Sequence, residues 1–405
     1  MEEAAGDNGA RVIDGGLELA VAGHALRYPA IWLRDNCPCA ECADPRSGQK
    51  LHDITGIAPG TTVVDVHECD NSKTDAGERG TSGTDNSKKL AVVFGPDGHV
   101  GTFNLGWLLE NTLDGRATED DEQRLWDGPG DLDPVRTGWA RYGADDRARE
   151  RVLGAVVRDG FAVLTGVPAE PGMVLTVAAS FGFVRETNYG PLFDVRIEPA
   201  PGNLAFTSRE ILPHTDNPYR DPVPTLQLLH CLRSAAEGGE TGLVDGFAAA
   251  RALQSADPEA YARLTSTTVS FEYIDKTAEL RTSQPLIDLG PGGPSAGREL
   301  GRVRGVRFNN RSIRAIRLPY RQVEAFYTAY RTWAELLARP ERRLNTRLAP
   351  GDCLIFDNTR ILHARTAFSV TGSRHLQGCY ADLDGLASTL AVLARPGNHE
   401  LKEES

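Results

Sequence analysis

Residues 214–216 of this chain read His-Thr-Asp, and a further histidine, His363, follows far downstream. Side chains two positions apart on an extended segment point the same way, so His214 and Asp216 can present an imidazole and a carboxylate to one point. A third ligand from a distant strand completes the two-histidine, one-carboxylate set, which holds Fe(II) by one face and leaves three positions open. Those positions suit a bidentate oxoacid and O2. The sequence therefore predicts an iron site formed by His214, Asp216 and His363.

A second motif around His363 supports this interpretation. The segment Phe356-Asp357-Asn358 precedes His363, and Arg374 follows it by eleven positions. A buried arginine at that distance can form two parallel hydrogen bonds to the far carboxylate of 2-oxoglutarate. A His-X-Asp triplet on any loop would look the same, so the triplet alone is weak evidence. Together, the two motifs predict a 2-oxoglutarate-dependent oxygenase.

Length and composition limit the classes of protein to consider. The chain has 405 residues, which at ~150 residues per domain predicts two or three domains. Apolar residues make up 40% of the sequence and charged residues 25%, as in soluble globular proteins. The net charge of −12 argues against nucleic acid or an anionic membrane surface as a partner, and no apolar run approaches the ~20 residues of a membrane helix. The acidic N-terminus lacks the pattern of a signal peptide, so we expect a cytoplasmic protein.

A cysteine cluster near the N-terminus predicts a metal site. The chain has seven cysteines, an odd number, and Cys37, Cys39 and Cys42 lie close together. On a tight turn, this spacing lets three thiolates converge on a tetrahedral zinc ion, whereas three unligated thiols would be prone to oxidation. His99 directly follows the turn 95–98, which suits a fourth ligand. The full set of candidates for the fourth position is His52, His67, Cys69 and His99.

Composition also divides the chain into predicted domains. Residues 11–34 alternate short apolar runs with Gly pairs, as small antiparallel strands do, ending at Ile31-Trp32-Leu33. Residues 69–89 are polar and predict a long loop, and residues 114–138 are acidic and rich in Gly and Pro, as at a domain boundary. We predict a zinc-binding β domain at 1–114, a linker at 115–138, an oxygenase domain at 139–395 and a flexible tail at 396–405.

Periodic patterns predict the fold of the larger domain. Apolar residues recur with helical spacing in four segments: 152–157, which stops at Gly160, 173–181, 247–264 and 320–338. Residues 225–232 are typical of a core strand, and the Gly- and Pro-rich residues 288–300 predict a mobile loop or lid. Short strands with helices packed outside, and metal ligands in two separated strands, predict a mostly β double-stranded β-helix of the jelly-roll type.

Several motifs, taken in order, resemble one known family over nearly the whole chain. The matching segments are Trp32-Leu33-Arg34-Asp35-Asn36-Cys37-Pro38-Cys39, Pro213-His214-Thr215-Asp216, Leu229-His230-Cys231, Val244-Asp245-Gly246-Phe247, Phe308-Asn309-Asn310, Phe356-Asp357-Asn358 with His363, and Ser373-Arg374-His375-Leu376. They are similar to the γ-butyrobetaine hydroxylase and trimethyllysine hydroxylase group of 2-oxoglutarate oxygenases. The resemblance implies a small zinc domain, a TauD-like catalytic jelly roll and a homodimer. It also implies that structural zinc is bound by Cys37, Cys39, Cys42 and His99, and Fe(II) by His214, Asp216 and His363.

The resemblance further implies how 2-oxoglutarate is used. Arg374, helped by the Thr241 hydroxyl, would anchor the C5 carboxylate while the keto-acid end chelates iron. Reaction with O2 then gives succinate and CO2, together with an oxidant that hydroxylates an unactivated C–H bond. The protein's task is to hold one C–H bond near the open metal positions.

The resemblance also implies a binding site for a quaternary amine. A trimethylammonium group cannot be hydrogen-bonded, so proteins hold it against aromatic faces. The family's aromatic cage corresponds to Tyr189, Phe193, Phe206 and Tyr380. Phe193 stands where the animal enzymes have Trp and Phe206 where they have Tyr, which favours the possibility of a different quaternary amine. Asn203 and Asn309 match positions that could hydrogen-bond the substrate's acidic end. On the residues alone, Tyr189, Phe193 and Phe206 are more simply explained as jelly-roll core.

Three functional hypotheses follow from the sequence. The first is hydroxylation of a trimethylammonium carboxylate, most simply γ-butyrobetaine to L-carnitine. The second keeps the same chemistry with trimethyllysine, a trimethylammonio phosphonate or another amine of secondary metabolism. The third is a non-catalytic zinc and jelly-roll binding protein, against which the intact His214, Asp216, His363 and Arg374 argue.

Overall fold

Two compact units make up the chain. The computed structural model describes residues 9–21, 23–69, 88–113, 123–196, 208–235, 238–290, 302–368 and 373–395. One unit holds the sequence up to Glu119, and the other holds nearly all of the sequence from Asp120 onward. The predicted tail at 396–405, and most of the predicted loops at 69–89 and 288–300, lie outside the described residues.

The first unit contains two antiparallel three-stranded sheets, with strand orders β1-β2-β3 and β4-β5-β6. Its elements are β1 (Ala10–Ile13), β2 (Gly16–Val21), β3 (His24–Tyr28), α1 (Ala30–Asp35), β4 (Thr62–Cys69), β5 (Lys89–Gly95), β6 (Val100–Asn104) and α2 (Leu105–Glu110). The prediction that Ile31-Trp32-Leu33 ends a strand was wrong, because these residues lie in α1. Pro29 precedes the helix in an extended conformation, and Ala30 and Leu33, spaced by three, are its buried residues.

The second unit is built on two sheets. Its strands are β7 (Arg136–Gly138), β8 (Phe161–Thr165), β9 (Val184–Arg185), β10 (Phe193–Arg196), β11 (Ile211–His214), β12 (Leu226–Ser234), β13 (Thr241–Asp245), β14 (Thr268–Ile274), β15 (Glu279–Pro285), β16 (Ile287–Leu289), β17 (Val303–Val306), β18 (Leu344–Thr346), β19 (Cys353–Asp357), β20 (Ile361–Arg365) and β21 (Arg374–Ala381). The larger sheet has the order β10-β21-β12-β19-β8-β7, with β9 beside β21, and the smaller one β11-β20-β13-β18. The strands β14-β15 and β16-β17 form two separate two-stranded sheets. Residues 136–138, at the end of the segment 115–138, therefore form a strand of the larger sheet.

Helices cover the outer faces of the sheets. They are α3 (Trp139–Ala144), α4 (Asp146–Asp159), α5 (Met173–Ala179), α6 (Gly246–Ala256), α7 (Pro258–Ser266), α8 (Tyr320–Ala338) and α9 (Leu383–Leu393). Helix α4 buries Val152, Leu153 and Val156 and ends at Gly160, whose φ of 86° is the left-handed conformation that glycine adopts readily. The predicted helix at 247–264 is two helices, because Pro258 starts α7. Among the described residues, no helix has the length and apolar character needed to cross a membrane.

The two sheets form the predicted jelly roll. Side chains from both sheets pack between them, and examples are Phe161, Leu243, Leu354 and Phe356. The α4 face of the larger sheet and the α6–α8 face of the smaller sheet carry separate apolar clusters. Leu229 and Leu376 belong to the interior cluster and also line a cavity. The cavity therefore lies between the sheets, next to the filled part of the barrel.

Candidate active site and metal centres

The three predicted iron ligands lie together at the smaller sheet. His214 in β11 and His363 in β20 are directly paired across these antiparallel strands, so both imidazoles lie on the same face of the smaller sheet. Their ring centroids are 4.1 Å apart, and His214 Nε2 lies 3.5 Å from Asp216 Oδ1. One donor atom from each of the three residues lies within 4.8 Å of the other two. The structure thus brings together one carboxylate and two imidazoles, as an Fe(II) site requires.

Local contacts leave the correct donor atoms for a metal. The Nδ1 atom of His214 lies 2.9 Å from the Leu212 carbonyl, so Nδ1–H donates there and Nε2 is free of the proton. Burial lowers the pKa of His363 to about 3, which keeps this imidazole neutral at ordinary pH. Burial alone would raise the pKa of Asp216, but the neighbouring His214 and His363 rings and the Arg311 guanidinium lower it overall. The donor set fits Fe(II).

The Asp216 carboxylate is held by residues of the larger sheet and of the segment before His363. Its Oδ2 atom accepts hydrogen bonds from Gln227 Nε2 and from the Tyr380 hydroxyl, both at 2.9 Å. Its backbone N–H donates to Asn358 Oδ1 at 2.8 Å, and Asn358 Nδ2 donates to its carbonyl at 3.0 Å. Oδ1 therefore remains for the metal. Sequence reasoning gave Gln227 and Asn358 no role, although Asn358 lay within a quoted motif.

A cavity of about 480 Å³ opens beside these ligands. This volume is within the range of small-molecule sites and can hold an oxoacid together with a small substrate. Thr241 and His363 contribute from the smaller sheet, and Gln227, Leu229 and Tyr380 from the larger one. The cavity next to the three metal donors is therefore bounded by residues of both sheets.

Arg374 and Thr241, the predicted 2-oxoglutarate residues, both line this cavity. The Arg374 guanidinium lies 5.5 Å from the ring centroid of Phe368, and Arg365 lies 4.9 Å from the same ring. Burial lowers the pKa of Arg374 to about 10, so the side chain stays cationic at neutral pH. A Cβ at Gly239, whose φ is 72°, would come within 3.0 Å of Arg374 Nε, so glycine leaves room for the arginine. Sequence reasoning missed Arg365, a second cation of the same wall.

Aromatic rings form another part of the cavity wall. Tyr189 and Phe193 have centroids 6.4 Å apart, and Phe193 and Tyr380 have centroids 5.1 Å apart. Two further tyrosines join them: Tyr273 lies 5.7 Å from Tyr189, and Tyr219 stacks on Tyr273 at 5.1 Å. All five rings line the cavity. Sequence reasoning missed Tyr219 and Tyr273, and only the position of Tyr219, three residues after Asp216, hinted at its role.

Two of the predicted substrate residues, Asn203 and Phe206, lie outside the described residues. Asn309 does line the cavity, but its amide nitrogen also donates to the Thr215 carbonyl at 3.1 Å. The neighbouring Phe308 N–H donates to Thr215 Oγ1 at 3.0 Å, and its carbonyl accepts from Thr215 N–H at 2.8 Å. Asn309 therefore helps to fix the His-Thr-Asp triplet as well as facing the cavity.

The second metal centre lies in the first unit. Cys37, Cys39 and Cys42 place their Sγ atoms 3.2, 3.6 and 3.5 Å from His99 Nε2. Ligands at ordinary zinc bond lengths in a tetrahedron have N···S separations of about 3.5 Å, so the geometry matches zinc. Of the four candidates for the fourth position, the structure brings His99 into the cluster.

The surroundings of this cluster affect the ionisation and the positions of its thiols. Burial raises the pKa of Cys37 to about 12, so this thiol ionises readily only when a metal replaces its proton. Arg34 Nη1 donates to Cys42 Sγ at 3.1 Å. A Cβ at Gly101 would lie 2.8 Å from Cys37 Sγ, so glycine is needed there. The donor set of three thiols and one imidazole fits zinc.

Comparison with known proteins decides the family. Residues 137–380, more than half of the chain, match the family described as taurine catabolism dioxygenase TauD, TfdA. The chain belongs to the TauD/TfdA family. Residues 14–75 also match the γ-butyrobetaine hydroxylase-like N-terminal family. The predicted fold and family resemblance are thus confirmed.

Several named dioxygenases match almost the whole chain. γ-Butyrobetaine dioxygenase of Pseudomonas sp. (strain AK-1) is 34% identical over 380 residues, covering 92% of each chain. The human γ-butyrobetaine dioxygenase is 30% identical and covers 90% of this chain and 91% of its own. Mouse mitochondrial trimethyllysine dioxygenase is 29% identical and covers 93% of this chain and 85% of its own.

This TauD/TfdA protein is a 2-oxoglutarate-dependent dioxygenase that uses Fe(II). Iron with bound 2-oxoglutarate and O2 supplies the oxidant, and the chain supplies the positions of the reacting groups. Asp216, His214 and His363 form a group that could hold the metal, and Arg374 and the aromatic residues line the cavity beside it.

Proposed function

We propose that this enzyme hydroxylates a small molecule with a trimethylammonium group at one end and an acidic group at the other, most simply γ-butyrobetaine. The observation that carries the proposal is the aromatic wall beside the metal donors. Tyr189, Phe193 and Tyr380 line the cavity, and a cation without N–H groups is attracted to aromatic faces because it cannot donate hydrogen bonds. γ-Butyrobetaine is the substrate named for the relatives at 34% and 30% identity.

The charges around the cavity suit such a substrate. Asn309 and Arg311 line it, and the Arg311 charge acts on both Asp216 and His363. A guanidinium and an amide near the metal favour an anionic group at that side of the cavity. We assign the substrate's acidic end to Asn309 and Asn203, as the family resemblance implies, with Arg311 contributing charge. The ammonium end is assigned to Tyr189, Phe193, Phe206 and Tyr380.

The cosubstrate and metal roles complete the proposal. We assign the C5 carboxylate of 2-oxoglutarate to Arg374 and Thr241, iron to His214, Asp216 and His363, and structural zinc to Cys37, Cys39, Cys42 and His99. Three thiolates and one imidazole close the tetrahedron, so the zinc site has no position for a substrate. The iron site offers only three protein donors and therefore retains positions for the cosubstrates.

The domain boundaries, the oligomeric state and the cellular location belong to the same proposal. We propose a zinc domain at 1–114, a linker at 115–138 and an oxygenase domain at 139–395. Residues 136–138, at the end of that linker, pair in the larger sheet. We further propose that the enzyme works as a cytoplasmic homodimer. Size-exclusion chromatography with light scattering tests the dimer, and a monomer at working concentration would contradict it.

Trimethyllysine is the second candidate substrate, because trimethyllysine dioxygenases match the chain at 28–30% identity over most of its length. Both candidates carry the trimethylammonium group that the aromatic wall is expected to recognise. They differ at the other end, where trimethyllysine adds an α-amino group. The cavity wall at that end contains Arg311, which disfavours a second cation.

The test is a substrate panel. The enzyme is incubated with Fe(II), 2-oxoglutarate and O2, and succinate is measured together with the oxygenated product by mass spectrometry. The panel contains γ-butyrobetaine, trimethyllysine, a trimethylammonio phosphonate, 4-aminobutyrate and taurine. We expect coupled turnover only with the trimethylated compounds and fastest with γ-butyrobetaine. Coupled turnover of taurine or 4-aminobutyrate in preference to them would refute the proposal.

A further inference from the structure

Tyr380 contacts two parts of the site at once. Its ring lines the cavity and lies 5.1 Å, centroid to centroid, from the Phe193 ring. Its hydroxyl donates to Asp216 Oδ2 at 2.9 Å. A single buried side chain thus joins the aromatic wall to a ligand of the metal.

Strand pairing explains this double contact. Tyr380 in β21 and Gln227 in β12 are paired residues of adjacent antiparallel strands, so their side chains lie side by side on one face of the larger sheet. Gln227 Nε2 donates to the same Asp216 oxygen, also at 2.9 Å. Two neighbouring donors therefore hold Oδ2, which leaves Oδ1 toward His214 and the metal position. Both are partners of the metal-binding carboxylate, but only Tyr380 is aromatic.

The other tyrosine hydroxyls of the aromatic wall form hydrogen bonds with residues other than Asp216. The Tyr189 hydroxyl lies 3.0 Å from the Tyr219 hydroxyl, which donates to Asn217 Oδ1 at 2.9 Å. The Tyr273 hydroxyl donates to Asp275 at 2.6 Å. Within the described part of the chain, Tyr380 is thus the cavity tyrosine that reaches the metal-binding carboxylate.

We propose that Tyr380 couples substrate binding to the iron site. Its ring contacts the substrate's ammonium group, and its hydroxyl changes how strongly Asp216 binds the metal. This inference rests on the proposed quaternary-ammonium substrate. A cation at the ring face draws electron density from the phenol and strengthens the O–H as a donor. A stronger hydrogen bond to Oδ2 draws charge from the carboxylate, and Oδ1 then donates less to the metal. Substrate binding therefore weakens the interaction between Asp216 and iron, which lowers the affinity of the site for Fe(II).

Coupling between two sites is reciprocal, so it can be read as a change in iron affinity. We expect bound γ-butyrobetaine to raise the Kd of the wild-type enzyme for Fe(II) about fivefold, at the low end of typical coupling factors. Part of any change comes from direct repulsion between the ammonium and the iron. That part does not depend on the Tyr380 hydroxyl.

Two matched variants separate these contributions. Tyr380→Phe keeps the ring and removes the hydroxyl, and Gln227→Leu removes the other donor to the same oxygen without touching the aromatic wall. Each loses one partner of an iron ligand, so each is expected to weaken Fe(II) binding about tenfold or more. The coupling factor should fall below about twofold in Tyr380→Phe and stay near the wild-type value in Gln227→Leu.

The measurement is anaerobic competition for Fe(II) between full-length protein and a chelator, with and without saturating γ-butyrobetaine. Zinc content and circular dichroism verify that each variant is folded. The expected pattern is coupling in wild type and Gln227→Leu that is lost in Tyr380→Phe. Equal coupling in wild type and Tyr380→Phe, or none in a wild type that binds γ-butyrobetaine, overturns the inference alone. Absence of γ-butyrobetaine binding to wild type, measured by calorimetry, overturns the proposed function and this coupling together.

Discussion

Replacement of Gly378 by alanine tests whether the aromatic wall is arranged as the structure shows. Gly378 in β21 is paired with Phe193 in β10, two residues before Tyr380. A Cβ built on Gly378 would lie 2.4 Å from Cζ and 2.6 Å from Cε2 of the Phe193 ring. Carbon atoms in contact are normally about 3.5–4.0 Å apart, so the ring must move by about 1 Å. Gly378 is therefore what allows the Phe193 ring to lie against Tyr380.

The structure gives the size of the expected effect. Overpacking of this kind costs ~1–3 kcal/mol of unfolding free energy. A displaced Phe193 ring also forfeits a desolvated cation–π contact worth ~1–2 kcal/mol, which corresponds to a loss of about tenfold in substrate affinity. Iron and 2-oxoglutarate binding should be retained, because the three atoms nearest to the new methyl group belong to Phe193 and Leu228, not to Arg374 or the iron ligands.

Calorimetric titration of γ-butyrobetaine into the anaerobic Fe(II) and 2-oxoglutarate complex measures the affinity, and urea unfolding measures the stability. Gly305→Ala is the matched control, because a Cβ there meets no atom closer than 3.9 Å. In the double variant Gly378→Ala/Phe193→Ala, the clash with the ring is gone but the new Cβ still lies 3.1 Å from the Leu228 carbonyl oxygen, so stability should recover in part while affinity does not. A Gly378→Ala enzyme with wild-type affinity and stability would show that the Phe193 ring is not where the structure puts it.

Three further predictions concern other parts of the chain. Arg374→Lys keeps the charge but loses the planar pair of donors, so the apparent KM for 2-oxoglutarate should rise at least tenfold with iron content unchanged; an unaltered KM would assign the anchor to another residue. Cys39→Ser should lose zinc, measured by elemental analysis, together with folded protein, whereas undiminished zinc in His99→Ala would give the fourth position to another ligand. Arg360→Met leaves the buried Asp245 carboxylate without its 2.7 Å ion-pair partner and should cost ~3–5 kcal/mol of unfolding free energy in urea, and a cost below about 1 kcal/mol would contradict that reading.

The features that sequence could predict are those encoded by short-range spacing. His214 and Asp216 are two apart, and their shared direction follows from strand geometry. The helix over 320–338 has the bounds that its apolar period predicts, and the helix that precedes Gly160 ends there because only glycine adopts the required left-handed conformation without strain. The spacing of Cys37, Cys39 and Cys42 likewise predicts zinc from local sequence alone.

The features that sequence could not predict depend on which strands become neighbours. Gln227 and Tyr380 are 153 positions apart in the chain, yet they are paired across β12 and β21 and share one carboxylate oxygen. Tyr273 lies on a hairpin strand, and its place in the aromatic wall follows from its stacking with Tyr219. No local pattern encodes such contacts. The error at Ile31-Trp32-Leu33 had a different cause, since a short apolar run is compatible with a strand or a helix.

The most direct test of the central claim is the ratio of kcat/KM for γ-butyrobetaine to that for 4-aminobutyrate. A primary ammonium needs hydrogen-bond acceptors when it leaves water, whereas a trimethylated nitrogen needs none and, in the proposed assignment, packs against Tyr189, Phe193 and Tyr380, which line the cavity. A difference of ~1.4 kcal/mol gives a tenfold ratio, and several ring faces acting together should exceed it. We predict a ratio above about ten that falls in Phe193→Leu. Equal or faster turnover of 4-aminobutyrate by the wild-type enzyme would contradict the quaternary-amine assignment.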